Sequence, residues 1–220
     1  QSGCKGVCEG LPVEVLASEH DPALCNDERC LDEILLRGLD KEIRAATGDI
    51  VIVLHTLGNH GPAYFQRYPD DFRRYTPTCD TTDLGTCSEQ AIVNSYDNAI
   101  LYTDKVLAEA IALLKSQAAD RDTALIYVSD HGESLGEHGL YLHSLPYAIA
   151  PDTQTHVPMV MWFSPQYLAT ERVDIACIRR EAGGEASHDN LFHTVLGILD
   201  VRTALYDPAR DLVGACRTGR

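Results

Sequence analysis

Short runs of uninterrupted apolar residues, separated by longer stretches with apolar positions three or four apart, divide the chain into strands and helices. Runs at 50–54, 124–128 and 157–163 are short and rich in β-branched or aromatic residues, so each predicts a strand. They are apolar throughout rather than alternating, which is the pattern of strands covered on both faces; Pro158 moves the third towards an edge. Between them, Leu31, Ile34, Leu35, Leu39 and Ile43 step at helical spacing over 31–46, ahead of Thr47-Gly48. Val93, Tyr96, Ile100, Leu107, Ile111 and Leu114 do the same over 89–115, the longest predicted helix. Ser187 is placed to cap a further helix with Asp189 in its first turn and Leu191, Phe192, Val195, Leu196 and Leu199 on one face. Residues 1–30 and 69–88 read as irregular. Strands separated by long helices predict the α/β class, an α/β/α sandwich around a mostly parallel central sheet.

Two of the strand ends carry the chemistry. The 124–128 run stops in Ser129-Asp130-His131-Gly132, and ligands of open α/β sheets bind beyond the carboxyl ends of strands. Neighbouring side chains of a strand point to opposite faces, so Asp130 and His131 converge on one ion only where the chain leaves the sheet; Gly132 allows that turn. A carboxylate beside an imidazole suits zinc. An isolated Asp-His pair is more often a capped turn, but His138 and His143 follow closely. The loop after the 50–54 run carries His60 in a stiff His-Gly-Pro turn, again beyond a strand end. Tyr96-Asp97-Asn98 is explained as well by a buried polar contact as by chemistry, and His188 and His193 read as helix-surface or packing residues.

Composition narrows the setting. The 220 residues are enough for one substantial domain, and 45% hydrophobic with 23% charged residues describes a folded globule. No apolar run approaches the roughly 18 residues of a membrane helix. No secretory leader is visible, and the missing initiator Met suggests a processed or excised piece. A net charge of −15 argues against a nucleic-acid partner. Of the eight cysteines, Cys4 and Cys8, Cys25 and Cys30, and Cys79 and Cys87 form close pairs that read as disulfides of an oxidising compartment, with Cys177 and Cys216 paired by elimination. Their spacings do not make C-x-x-C zinc knuckles.

The segments LGNHGPAYFQRYP, YDNAILYTD, VSDHGESLGEHGLYLH and SHDNLFHTVLGILDV, together with the cysteine pairs, closely resemble the lipid A phosphoethanolamine transferases, inner-membrane enzymes linked to polymyxin and colistin resistance. The DHG-x-x-x-G-E pattern alone is shared by sulfatases and other alkaline phosphatase-like hydrolases; NHGPAY and the cysteine loops narrow the likeness. It implies an alkaline phosphatase-like fold, with residues 1–220 as the C-terminal portion of a periplasmic catalytic domain tethered to the membrane by a preceding region. Asp130 and His131 match the family's zinc ligands. His60 and His143 match the histidines that contact the phosphoethanolamine group or a second metal, and Lys5 matches a lysine lining the substrate pocket. Glu133 is read as supporting structure. One zinc ion is expected and a second is possible.

The resemblance further implies transfer of phosphoethanolamine from phosphatidylethanolamine to lipid A through a threonine nucleophile, by a monomer. That threonine and a further zinc carboxylate lie upstream in the family and are not matched here; Thr56, Thr86 and Thr103 lack its context. The chain by itself is therefore expected to turn nothing over and to hold zinc weakly. The alternatives are a sulfatase, whose Cys-x-Pro-x-Arg motif is absent from these residues, a phosphoglycerol transferase or phosphonate or phosphodiester hydrolase of the same superfamily, and a non-catalytic binding or folding module.

Overall fold

A computed structural model of the chain describes residues 10–16, 19, 21–26, 29–143 and 145–219; Cys4, Lys5 and Cys8 lie outside them. Helices α1 (Leu39–Ala45), α2 (Glu89–Gln117), α3 (Asp152–Thr155), α4 (Pro165–Thr170), α5 (Ile175–Glu181) and α6 (Asp189–Ile198) are joined by 3-10 turns and by strands β1 (Ala124–Val128), β2 (Ser134–Leu135), β3 (Tyr141–Leu142) and β4 (Met159–Phe163). The chain divides into two units. One runs to Leu113 and resumes over His131–Val157; the other takes Leu114–Asp130 and everything from Pro158 onward.

In the first unit α2 forms over almost the predicted range, but its most buried face is not the large apolar stripe. Ile100 is exposed, while Ile92, Ser95, Asn98, Ala99, Tyr102 and Val106 are buried. The small and amide side chains on that face let an irregular segment approach and receive its backbone. Asn98 Oδ1 accepts the N–H groups of Arg74 and Tyr75, both at 2.9 Å, and its amide donates to the Tyr75 carbonyl at 2.9 Å. Asn94 donates to the Pro77 carbonyl at 2.8 Å, and the Ser95 hydroxyl accepts from Cys79 N–H at 2.8 Å. Buried backbone polar groups must be satisfied somewhere, and here a helix face does it for a loop without secondary structure. Tyr64, Cys79, Leu84, Ile92 and Leu135 close one apolar cluster; Tyr68, Ala99, Tyr102 and Val106 close another.

The helix predicted over 31–46 is broken. A 3-10 turn at Asp32–Leu36 ends in an extended Arg37, and α1 restarts after Gly38, whose φ of 75° is a left-handed conformation. In the turn ahead of the break, the Asp32 carboxylate accepts the N–H groups of Leu57 (2.8 Å) and Gly58 (2.6 Å).

The strand expected at 50–54 is not formed either. Ile50, Val51, Ile52 and Val53 lie outside every ladder among the described residues, and Val53 is 81% exposed. A strand exists only through its partner, which an apolar run cannot specify.

The second unit is built on β1 and β4, paired in register from Ala124 opposite Phe163 to Val128 opposite Met159. The pairing is antiparallel where continuous apolar runs suggested parallel neighbours, and the β2–β3 ladder of the first unit is antiparallel too. Pro158 sits just outside β4, where its missing N–H costs the ladder no bond, and its carbonyl accepts the Ser129 N–H. Phe163, Tyr167, Val173 and Val213 form this unit's core. Disulfides join Cys25 to Cys30, Cys79 to Cys87 and Cys177 to Cys216, the pairs read from the sequence. No helix among the described residues is long and apolar enough to cross a membrane.

Replacing Asn98 by Ala removes the partner of two partly buried N–H groups and one carbonyl, and is expected to lower unfolding stability by about 1–3 kcal/mol. The urea midpoint should fall accordingly; an unchanged midpoint would mean that water replaces the amide at no cost.

Candidate metal centre

Three imidazoles from two loops meet in the first unit. His60, His131 and His143 each bring one ring nitrogen to within 4.8 Å of the others. The His131 and His143 rings stack with centroids 3.8 Å apart, and His60 stands edge-on to both, at 4.8 Å from His143 and 5.8 Å from His131.

Each ring is aimed by its Nδ1. His60 donates Nδ1–H to the Gly61 carbonyl at 2.7 Å, His131 to the Gly132 carbonyl at 3.0 Å, and His143 to the Glu133 carboxylate at 3.1 Å. A neutral imidazole holding its proton on Nδ1 carries its lone pair on Nε2, the state a metal ligand needs. Glu133 is buried and ties the loops together, since it also accepts the Gly61 N–H at 3.1 Å and the Tyr64 hydroxyl at 2.8 Å. Burial and this carboxylate push the Tyr64 hydroxyl's pKa upward, so it stays a donor.

The two glycines of the loops are demanded by close approach. A Cβ on Gly61 would lie 2.5 Å from Leu142 Cδ2, and one on Gly132 would lie 2.1 Å from the Thr153 carbonyl oxygen. Behind His60, the Arg67 Nε–H donates to the His60 carbonyl at 2.8 Å. Burial lowers the Arg67 guanidinium's pKa to about 10 against the opposing pull of Asp32 and Glu133. Asp32 holds the start of the same loop, and burial raises its carboxyl pKa while the two N–H groups it accepts draw it back. Asn59 is fixed to α2 by the Thr103 hydroxyl (2.9 Å) and the Tyr96 carbonyl (3.2 Å).

The expected site residues are thus distributed unevenly. His60, His131 and His143 converge. Asp130 is exposed, belongs to the second unit, and is not one of the converging group. His138 lies in the turn Glu137–Gly139 and does not join the trio either. Thr86 turns its hydroxyl onto the Asp83 carbonyl, and His193 accepts the Asp207 N–H at 3.0 Å, both local roles. Lys5 is outside the described residues. Arg67 and Tyr64 were not picked out in the sequence as supports of the site; FQRYP gives no cue to a side chain that reaches back seven residues to a carbonyl. Three nitrogen donors with fixed tautomers suit zinc, whose catalytic sites use three protein ligands and keep one position open.

The family model described as Sulfatase matches residues 1–201. The chain belongs to the sulfatase family. This sulfatase-family chain is 49% identical over 216 residues to the phosphoethanolamine transferase EptA of Salmonella typhimurium, covering 98% of this chain and 40% of that protein. It is 40% identical to the phosphatidylethanolamine transferase Mcr-1 of Escherichia coli, over 91% of this chain and 37% of the relative. Among solved structures, the integral membrane lipooligosaccharide phosphoethanolamine transferase A of Neisseria meningitidis superposes with a TM-score of 0.96 at 44% identity, over 100% of this chain and 41% of that one. The chain therefore spans about two fifths of the length of these relatives. The α/β fold of the sulfatase type follows from the same likeness.

Gly132→Ala is expected to push the 131–135 segment off Thr153, at a cost of about 2 kcal/mol or more. Thermal unfolding would read the loss, and the His131 and His143 ring signals in NMR should shift together. Unmoved ring signals would show that the turn does not set their positions.

Proposed function

We propose that this chain is the part of a periplasmic phosphoethanolamine transferase that binds zinc and steadies the transferred group, in an enzyme that moves phosphoethanolamine from phosphatidylethanolamine to lipid A. The observation that carries the reading is the convergence of three imidazoles whose Nδ1 atoms are all committed, in a chain whose relatives bear transferase names. His131 is proposed as a zinc ligand, with Asp130 beside it in sequence as the carboxylate member. His60 and His143 are proposed to face the transferred group or a second ion. Lys5 is proposed to line the substrate pocket. When bound, zinc supplies Lewis acidity to the phosphoryl oxygens and lowers the pKa of the attacking hydroxyl.

The reaction proposed is a two-stage displacement. A threonine outside these 220 residues gives up its hydroxyl proton and attacks phosphorus, the bond to the diacylglycerol oxygen breaks, and that oxygen takes a proton. A lipid A phosphate oxygen then attacks phosphorus of the threonine-bound phosphoethanolamine, the threonine O–P bond breaks, and the threonine oxygen takes back a proton. His143 is suited to moving the proton, because Glu133 holds its Nδ1–H and sets which nitrogen faces outward. His60 gives its Nδ1–H to the Gly61 carbonyl, so its Nε2 is suited to taking a proton first and, once protonated, to donating to a developing negative charge. Covering a lipid A phosphate in this way lowers its negative charge, which is the physical route to polymyxin resistance. The match to the sulfatase family model favours one second reading, hydrolysis of a sulfate ester at the same centre.

The decisive measurement is the mass of lipid A from a polymyxin-sensitive strain expressing the full-length gene. Lipid A should gain phosphoethanolamine, and His131→Ala should abolish the gain. Unmodified lipid A alongside turnover of an aryl sulfate would replace the transferase reading with the hydrolase one. For the isolated chain, Glu133→Gln should weaken an ion bound through His143 by roughly 10–100-fold in calorimetric titration, as loss of a ligand's hydrogen-bond partner does elsewhere, and should leave the ion on His131 in place. Equal affinities for the two proteins would remove Glu133 from the site's support.

A further inference from the structure

Between Leu140 and Pro151 the chain carries no Asp, Glu, Lys or Arg, although 23% of its residues are charged. This stretch contains His143 and continues into a 3-10 turn, Tyr147–Ile149, that leaves Tyr147 86% and Ile149 69% exposed, with Leu145 also uncovered. The exposure is built in. Pro146 starts the turn, and its carbonyl accepts the N–H groups of Ile149 (2.9 Å) and Ala150 (3.0 Å). Both ends of the segment are fastened to the scaffold that carries the imidazoles. At one end β3 pairs with β2; at the other the Gln154 carbonyl accepts the Gly132 N–H at 2.9 Å, and the Gln154 side chain donates to the Ser134 hydroxyl at 2.9 Å. The turn is thus held in one piece with His131 and His143 and displays its apolar side chains outward.

We propose that the 145–151 turn is a membrane-contacting element, in which Tyr147 and Ile149 enter the interfacial zone of a phosphatidylethanolamine-containing bilayer beside the imidazoles. The inference rests on the transferase reading for its choice of partner, since that substrate has an ionic head for the imidazoles and acyl chains that need an apolar neighbour. Charge favours the same partner. A chain of net charge −15 is repelled by anionic surfaces, and an uncharged turn meeting a zwitterionic interface avoids that cost. Tyrosine suits the headgroup level, with a ring to bury and a hydroxyl to keep wet, and isoleucine suits the depth below it. Holding the turn rigid means that little ordering entropy opposes insertion.

The test is co-sedimentation of the 220-residue chain with vesicles of phosphatidylethanolamine and phosphatidylcholine. The wild type should bind, and Tyr147→Ser with Ile149→Ser should weaken partition by roughly tenfold or more. Circular dichroism and zinc titration should stay unchanged, because both side chains are outside the core. Val51→Ser with Val53→Ser, which alters another exposed apolar run, should remain within about twofold of wild type. In a Trp162→Phe background, Tyr147→Trp should shift its emission to the blue on vesicles and be quenched by brominated acyl chains. Absence of vesicle binding by the wild type, or equal binding by the turn variant, overturns the proposal. So does a turn variant that only converts a dimer to a monomer, which would assign the surface to a second copy of the chain. Binding is read without catalysis. A turn that partitions while lipid A stays unmodified supports this inference and overturns the transferase reading alone.

Discussion

A buried carboxylate with three donors around it holds the candidate centre together. Glu133 receives the Gly61 N–H, the Tyr64 hydroxyl and the His143 Nδ1–H, so one side chain joins the loop of His60 to the loop of His131 and His143. A carboxyl group under cover is costly unless its oxygens find donors, and each donor here belongs to a group the site needs in place. The same bond that relieves the burial of Glu133 selects the tautomer of His143. Support and chemistry are one interaction.

The loops themselves have little regular structure, and polar side chains elsewhere replace it. Asp32 takes the N–H groups of Leu57 and Gly58, Arg67 takes the His60 carbonyl, and α2 holds Asn59 from its flank. Further along α2, Asn94, Ser95 and Asn98 do for residues 74–79 what a neighbouring strand would do for a ladder. This is why the buried face of α2 is small and polar. A face of Leu and Ile would fill the space the loop backbone occupies and leave its N–H groups unanswered.

Much of this was legible beforehand. His131 follows β1 closely and is joined by His60 and His143, although Asp130, expected beside it, is not in the converging group; two described cysteine pairs close as their spacing suggests, and Cys177 and Cys216 as elimination left them. Periodicity found α2 but placed its buried side on the wrong stripe, because it counts large apolar residues and not loop carbonyls in need of donors. It joined two short helices across Gly38, because spacing of apolar residues does not register an extended Arg37 followed by a left-handed glycine. It also made a strand of 50–54, whose composition is right and whose partner is missing among the described residues.

Local chemistry along the chain was enough to determine the class of fold, the strand-end turn, the disulfide pairs and the residue types able to hold a metal. Except for Cys177–Cys216, which was left by elimination, each depends on neighbours a few positions apart or on intrinsic preferences. Tertiary structure alone decided which imidazoles meet, which nitrogen of each carries the proton, and through which donors Glu133, read beforehand only as supporting structure, binds the loops to one another. Those outcomes rest on contacts between residues some 70 positions apart, such as Gly61 and Tyr64 with Glu133, whose geometry no local pattern encodes.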